Sequence, residues 1–112
     1  MPEKSIEIEL FLASERLSDE DIKNTILHKL ARHGFWGGKH TDVEELKKGF
    51  KPELLGKRGL KRVEHSALQL IREGLIIPKR VGYGSGLHVS LNPSFNTQIE
   101  HRIEHFLKRR FE

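Results

Sequence analysis

The sequence predicts one small α+β domain, mostly helical. Three observations carry that expectation. Apolar residues recur at helical spacing in several segments that begin at capping residues; one pair of short apolar runs flanks a glycine cluster; and no run of about 18 apolar residues could span a bilayer. With 112 residues, 36% hydrophobic and 32% charged, the chain can bury one core but not two. Cysteine is absent, so disulfides and thiolate metal sites are excluded. The first residues, "MPEKSIEIELFLAS", carry acids where an export signal carries bases. The expectation is a cytoplasmic protein with no membrane association.

Residues 1–17 read as an N-terminal arm or strand. Within it Ile6, Ile8, Leu10 and Leu12 alternate with Glu7, Glu9 and Phe11, although seven residues fit a helical arm as well. A helical core then spans 18–93. Ser18 is placed to cap a helix whose first turn, Asp19, Glu20 and Asp21, suits the positive end of the dipole, and Gly34 is a natural stop. Ile22, Ile26, Leu27 and Leu30 form its apolar stripe. "FWGGKH" is a connection whose Phe35 and Trp36 are expected to dock on the core. Thr41 to Glu44 reads as a capping box opening a short helix through Lys48, stopped at Gly49.

Residues 52–73, "PELLGKRGLKRVEHSALQLIRE", are harder to divide. Gly56 and Gly59 would each cost about 1 kcal/mol inside a helix. A short turn at 52–55, a break, and a main helix from about 57 to 73 follow from that cost. Leu60, Val63, Ala67, Leu70 and Ile71 are its expected buried stripe, and Lys57, Arg58, Lys61, Arg62, His65, Gln69 and Arg72 lie opposite. "LIIPKRV" and "LHVSL", joined by "GYGSG", predict a two-stranded hairpin with glycine at its tip. An extra C-terminal helix, 94–112, begins near Asn96, with Thr97 and Glu100 spaced as a second capping box. Ile99, Ile103, Phe106 and Leu107 give its apolar face.

Charge is uneven along this order. Residues 1–56 carry a net −2, residues 57–80 a net +5, and residues 81–112 a net +1. A basic excess confined to 24 residues points to a polyanion partner, against the plainer reading of a solvated helix face.

The order of helix, short helix, basic helix, glycine-tipped hairpin and helix resembles the winged helix-turn-helix family. "LQLIREGLIIPKRVGYGSGLHVSLNP" is similar to the passage from third helix to wing in winged-helix regulators. "GGKHTDVEELKKGF" is similar to small uncharacterised archaeal proteins of that fold. The likeness covers residues 18–93. It implies sequence-specific binding of double-stranded DNA by a transcriptional regulator, with the helix of about 57–73 in the major groove and the wing, 76–91, on the backbone or in the minor groove. The connection "GFKPELLGKRG" is longer than the usual turn between the second and third helices, which leaves the start of the third open.

On that resemblance the DNA-binding residues would be Lys57, Arg58, Lys61, Arg62, His65, Gln69, Lys79, Arg80 and Tyr83. Arg58 and Arg62 have the forked geometry for guanine edges or phosphates, and the lysines suit phosphates. Gln69 is a candidate adenine reader, late in the helix, and His65 is the weakest of the set. Tyr83 either meets the partner at the wing tip or folds back on the wing, and glycines at the tip would permit close backbone approach. A homodimer through the C-terminal helix, with Phe106 and Phe111, or through the N-terminal arm would read two half-sites. The alternatives are a winged helix for structured RNA or a ribonucleoprotein, and a protein-interaction module.

Enzyme, metal and nucleotide readings fare worse. The tip spacing is G-x-G-x-G with a strand after it, whereas a dinucleotide loop needs G-x-G-x-x-G leading into a helix. His101, Glu104 and His105 make a literal H-x-x-E-H. The pattern is short, sits on a terminal helix and lacks a third ligand. No serine lies in a nucleophile elbow. No enzyme activity, cofactor or metal is expected.

Overall fold

Ser18 caps helix α1 (Asp19–Arg32) as its position predicts. Its hydroxyl accepts the Asp21 N–H at 3.1 Å, and the Asp21 carboxylate accepts the Ser18 N–H at 3.4 Å, closing a capping box. The computed structural model describes residues 17–56 and 58–111, without the side chain of Phe111. The alternating run at 6–12 and Lys57 lie outside the described residues. Gly34, at φ +70°, ends α1, and Phe35 donates its N–H back to Leu30.

The next element corrects the sequence reading. Thr41 and Asp42 form a short strand, β1 (Thr41–Asp42), and a 3₁₀ helix follows at Val43–Lys47. Asp42 is the cap, not Thr41: its carboxylate accepts the Glu44 N–H at 2.9 Å. An N-cap has an extended backbone, so the same residue can cap a helix and pair in a sheet. Two residues are too few to show a period of two.

Pro52 opens a single helical turn, α2 (Pro52–Leu55), which ends at Gly56 with φ +77°. A turn with Gly59 at φ +52° precedes α3 (Lys61–Arg72). The main helix thus starts four residues later than the expected 57, because both glycines sit in the left-handed region. Leu60, expected inside, is 37% exposed, since it stands before the helix and off its buried stripe. Val63, Ser66, Ala67 and Leu70 face the core, with Ile71 packed at its edge.

After Gly74, strands β2 (Ile76–Arg80) and β3 (Leu87–Leu91) form the expected hairpin. β1 adds to it, so the sheet has three antiparallel strands in the order β1-β3-β2, with Thr41 opposite Val89 and Ile76 opposite Leu91. A 3₁₀ turn at Pro93–Phe95, capped by Asn92, then leads without a break into α4 (Asn96–Phe111). The spacing of Thr97 and Glu100 therefore does not open this helix, since the chain already turns helically from Pro93.

Four helices and a three-stranded antiparallel sheet thus make an α+β fold among the described residues. The core joins Ile22, Ile26 and Leu30 of α1, Val63 and Leu70 of α3, Val89 and Leu91 of β3, and Ile99 of α4. No described helix is long and apolar enough to cross a membrane. Phe106, expected as a dimer contact, is buried within its own domain. Polar groups fasten α4 to α1: Arg102 bonds Asn24 at 2.6 Å and pairs with Glu20, while Arg109 and Arg110 both reach Asp21.

Candidate nucleic-acid interface

The turn before α3 and that helix's first two turns bring Arg58, Lys61, Arg62 and His65 around one cleft of about 360 Å³, which Asp19 also lines. Arg58, Lys61 and His65 are exposed. Arg62 is not like them. Its guanidinium donates to Leu55 O at 3.0 Å, Leu17 O at 2.9 Å and Asp19 Oδ1 at 2.7 Å. One side chain thereby ties together the chain before α1, the first turn of α1, and the end of α2. The hydrogen bond from Arg62 is the chief reason the Asp19 carboxyl titrates below its ordinary range.

Gln69 and His65, four residues apart on α3, face each other, with the amide nitrogen 3.1 Å from His65 Nε2. The amide nitrogen has only donors, so His65 presents a lone pair there and the Gln69 amide is already engaged. Lys47, on the 3₁₀ helix, bridges Glu44 at 2.9 Å and Glu64 of α3 at 2.7 Å, fixing the side of α3 away from this cleft's basic rim.

The hairpin carries the remaining candidates. Lys79 and Arg80 are both exposed on β2, the edge strand. Lys79 pairs with His88 and Arg80 with Leu87, so alternation sends the two cations to opposite faces of the sheet. Pro78 beside them, together with two positive charges, disfavours addition of another strand at this edge. Tyr83 is 65% exposed, yet its ring also stands edge-on to His88 at 5.3 Å. One edge of the ring leans on the hairpin while most of it faces solvent.

The tip glycines have an internal use that the sequence does not announce. Gly84 is at φ +61°, and a Cβ there would lie 2.3 Å from Asp42 Oδ2. Asp42 Oδ2 accepts the Ser85 N–H at 3.0 Å, and Oδ1 accepts the Ser85 hydroxyl at 2.6 Å. The Ser85 hydroxyl first, then the N–H groups of Glu44 and Ser85, pull the Asp42 pKa down to about 2. The backbone comes close to a carboxylate of its own domain, whereas Gly82 has open space around it. In the sequence Asp42 reads only as part of a helix start; the signal that could have found the clamp is a Gly-Ser tip at a hairpin that needs an acceptor.

His101 and His105 are exposed one turn apart on α4. Among the described residues no group of three or more His, Cys, Asp or Glu side chains could hold a metal ion. No protein-family model, curated protein or solved structure matches the chain.

Proposed function

We propose that this chain is a winged-helix protein that binds double-stranded DNA with sequence preference and acts as a transcriptional regulator through occupancy. One observation carries the reading: three exposed side chains, Arg58, Lys61 and His65, converge on an open cleft at the start of α3, with a basic-edged hairpin following that helix. In this reading the first turns of α3 approach the major groove, Arg58 contacts a guanine edge or phosphate, and Lys61 neutralises a phosphate. Arg62 acts indirectly, by holding the helix start against α1 and α2. Of the hairpin cations, one alone meets the same duplex face as α3, because the two point to opposite sides of the sheet. Dimerisation belongs to the proposal too, through the arm at 1–17 or the outer face of α4, since one domain of this size spans a single half-site.

The test is duplex affinity measured by fluorescence anisotropy across a salt series. The parent should bind with a steep log–log salt slope, and Arg58→Ala/Lys61→Ala should make it shallower by about 2, one for each phosphate left without its cation. A double variant that binds like the parent, at equal stability, removes α3 from the interface. Tighter binding to duplex RNA than to duplex DNA would favour the ribonucleoprotein alternative, and no salt-dependent binding to either would favour a protein-interaction module.

A further inference from the structure

Near the tip end of the hairpin lies a cluster for which nucleic-acid binding has no use. His88 of β3 is only 7% exposed, and its Nδ1 lies 2.8 Å from Nδ1 of His40. The rings meet edge to face with centroids 4.9 Å apart. Asp42 Oδ2 is 3.9 Å from His88 Nε2, too far for a hydrogen bond but close enough for attraction. His40 directly precedes β1, whose sheet partners among the described residues are His88 and Val89. The same two-residue strand carries Asp42, which clamps Ser85 at the hairpin tip.

Two imidazoles joined through like nitrogens can place one hydrogen between them. One ring donates from Nδ1 and the other must keep that nitrogen bare. The first added proton goes to the bare Nε2 of the donor ring and leaves that hydrogen in place; a second finds only the accepting Nδ1, which would set two N–H groups head to head at 2.8 Å and put two positive charges in a half-buried site. The surroundings oppose that second charge. Lys79 of β2 is cross-strand from His88, and Lys29 of α1 and His33 just after that helix line the same cleft of about 500 Å³. The opposing carboxylates are Asp42 of β1 and Glu45 of the 3₁₀ helix. Asp42 already accepts three hydrogen bonds, and Glu45 pairs with Lys48 at 3.0 Å. Tyr83, the last titratable neighbour, meets His88 through its ring edge.

We propose that His40 and His88 form an acid-released latch: the hydrogen between their Nδ1 atoms holds β1 on β3 and the hairpin tip on Asp42 in the neutral and the singly protonated pair alike, and the second added proton parts them. Released, β1 carries Asp42 away from Ser85, and the loop at 82–86 loses its anchor. Regulation of the hairpin matters for DNA only if the proposed function is right, but the latch itself is a property of the free protein. Burial first, then Lys79 and His88, hold His40 below its ordinary pKa. The folded state therefore takes up the proton later than the unfolded chain does. Stability is fully present above the ordinary histidine value of about 6.5 and is lost as pH falls from there through the lowered folded value.

The experiment uses the full chain without nucleic acid. Histidine ring resonances and the exchange rate of the Ser85 amide, corrected for its intrinsic pH dependence, are followed from pH 8 to pH 5. The two rings should titrate as a coupled pair with steps more than about one pH unit apart. Ser85 protection should fall by about tenfold across the lower step, the change that one unit of coupling produces. In His40→Ala, Ser85 protection should no longer change with pH. Independent titration of both rings, or Ser85 protection that stays level to pH 5 in the parent, would overturn the latch. Salt-dependent duplex binding at pH 7.5, where the latch is shut, tests the DNA reading separately, so either can fail alone.

Discussion

Replacing Arg62 with alanine should unfold the protein more readily, because this side chain of the cleft braces the fold. Its guanidinium makes three hydrogen bonds to three separate segments, and only 20% of the side chain is exposed. A hydrogen bond from a charged donor contributes about 1.5–3 kcal/mol, but the carbonyls of Leu17 and Leu55 are partly buried and regain some water when the arginine is removed. The Asp19 pair is largely exposed and contributes at most about 1 kcal/mol. The expected loss is about 2–3 kcal/mol. With an unfolding entropy of about 2.1 cal/mol/K per residue, that lowers Tm by roughly 10 °C. Urea titration at constant m-value measures it directly, with Arg58→Ala and Lys61→Ala as exposed controls expected to stay within about 0.5 kcal/mol of the parent. Arg62→Lys should recover little, because an ammonium donates from one nitrogen and cannot span acceptors that meet two separate guanidinium nitrogens. If Arg62→Ala were as stable as the parent yet bound duplex poorly, Arg62 would be a reader and not a brace.

Two further substitutions probe the tip and the core. Gly84→Ala places a methyl against Asp42 Oδ2 at a positive φ, so it should cost about 1–2 kcal/mol and raise the exchange rate of the Ser85 amide; unchanged exchange would show that Asp42 does not hold the tip. Ser66 is wholly buried on α3, and its hydroxyl has no partner among the described residues. Ser66→Ala should therefore raise stability by about 1 kcal/mol through relief of that hydroxyl and better helix propensity, read as a higher urea midpoint. A drop in the midpoint instead would mean that the hydroxyl is bonded.

Local rules were legible where a residue acts within its own turn. Ser18 with Asp21, Gly34 and the glycine-tipped hairpin all follow from spacing, because caps and turns are decided within four residues. The start of α3 was legible only in part. The glycines at 56 and 59 warned of a break, but their left-handed backbone pushed the helix to Lys61, and Leu60 out of the core. Contacts between distant segments left no local trace. Nothing in "GGKHTDVEELKKGF" says that Asp42 will meet Ser85, or His40 meet His88, each across more than 40 residues. Arg62 shows the same limit from the other side. It occupies the outward stripe of its helix, where period alone makes it look available, and only the arrival of Leu17, Asp19 and Leu55 at its fork decides otherwise.

That limit separates two kinds of cation on one helix face. An arginine held by three acceptors at fixed geometry cannot turn to a phosphate without releasing them, so its interaction with a polyanion competes with the fold. Arg58 and Lys61 carry no such obligation, and their long exposed stems can reorganise around a ligand at the cost of side-chain entropy alone. Arg62 still shapes what they do, because it sets the position of the helix start from which they extend. The hairpin follows the same division: Asp42 holds the tip through Ser85 from inside, leaving Tyr83 and the two edge cations to face outward. Binding at this surface should therefore depend on two half-buried anchors, Arg62 and Asp42, as strongly as on the charges it presents, and a variant that loosens either anchor should change where the charges sit before it changes how many there are.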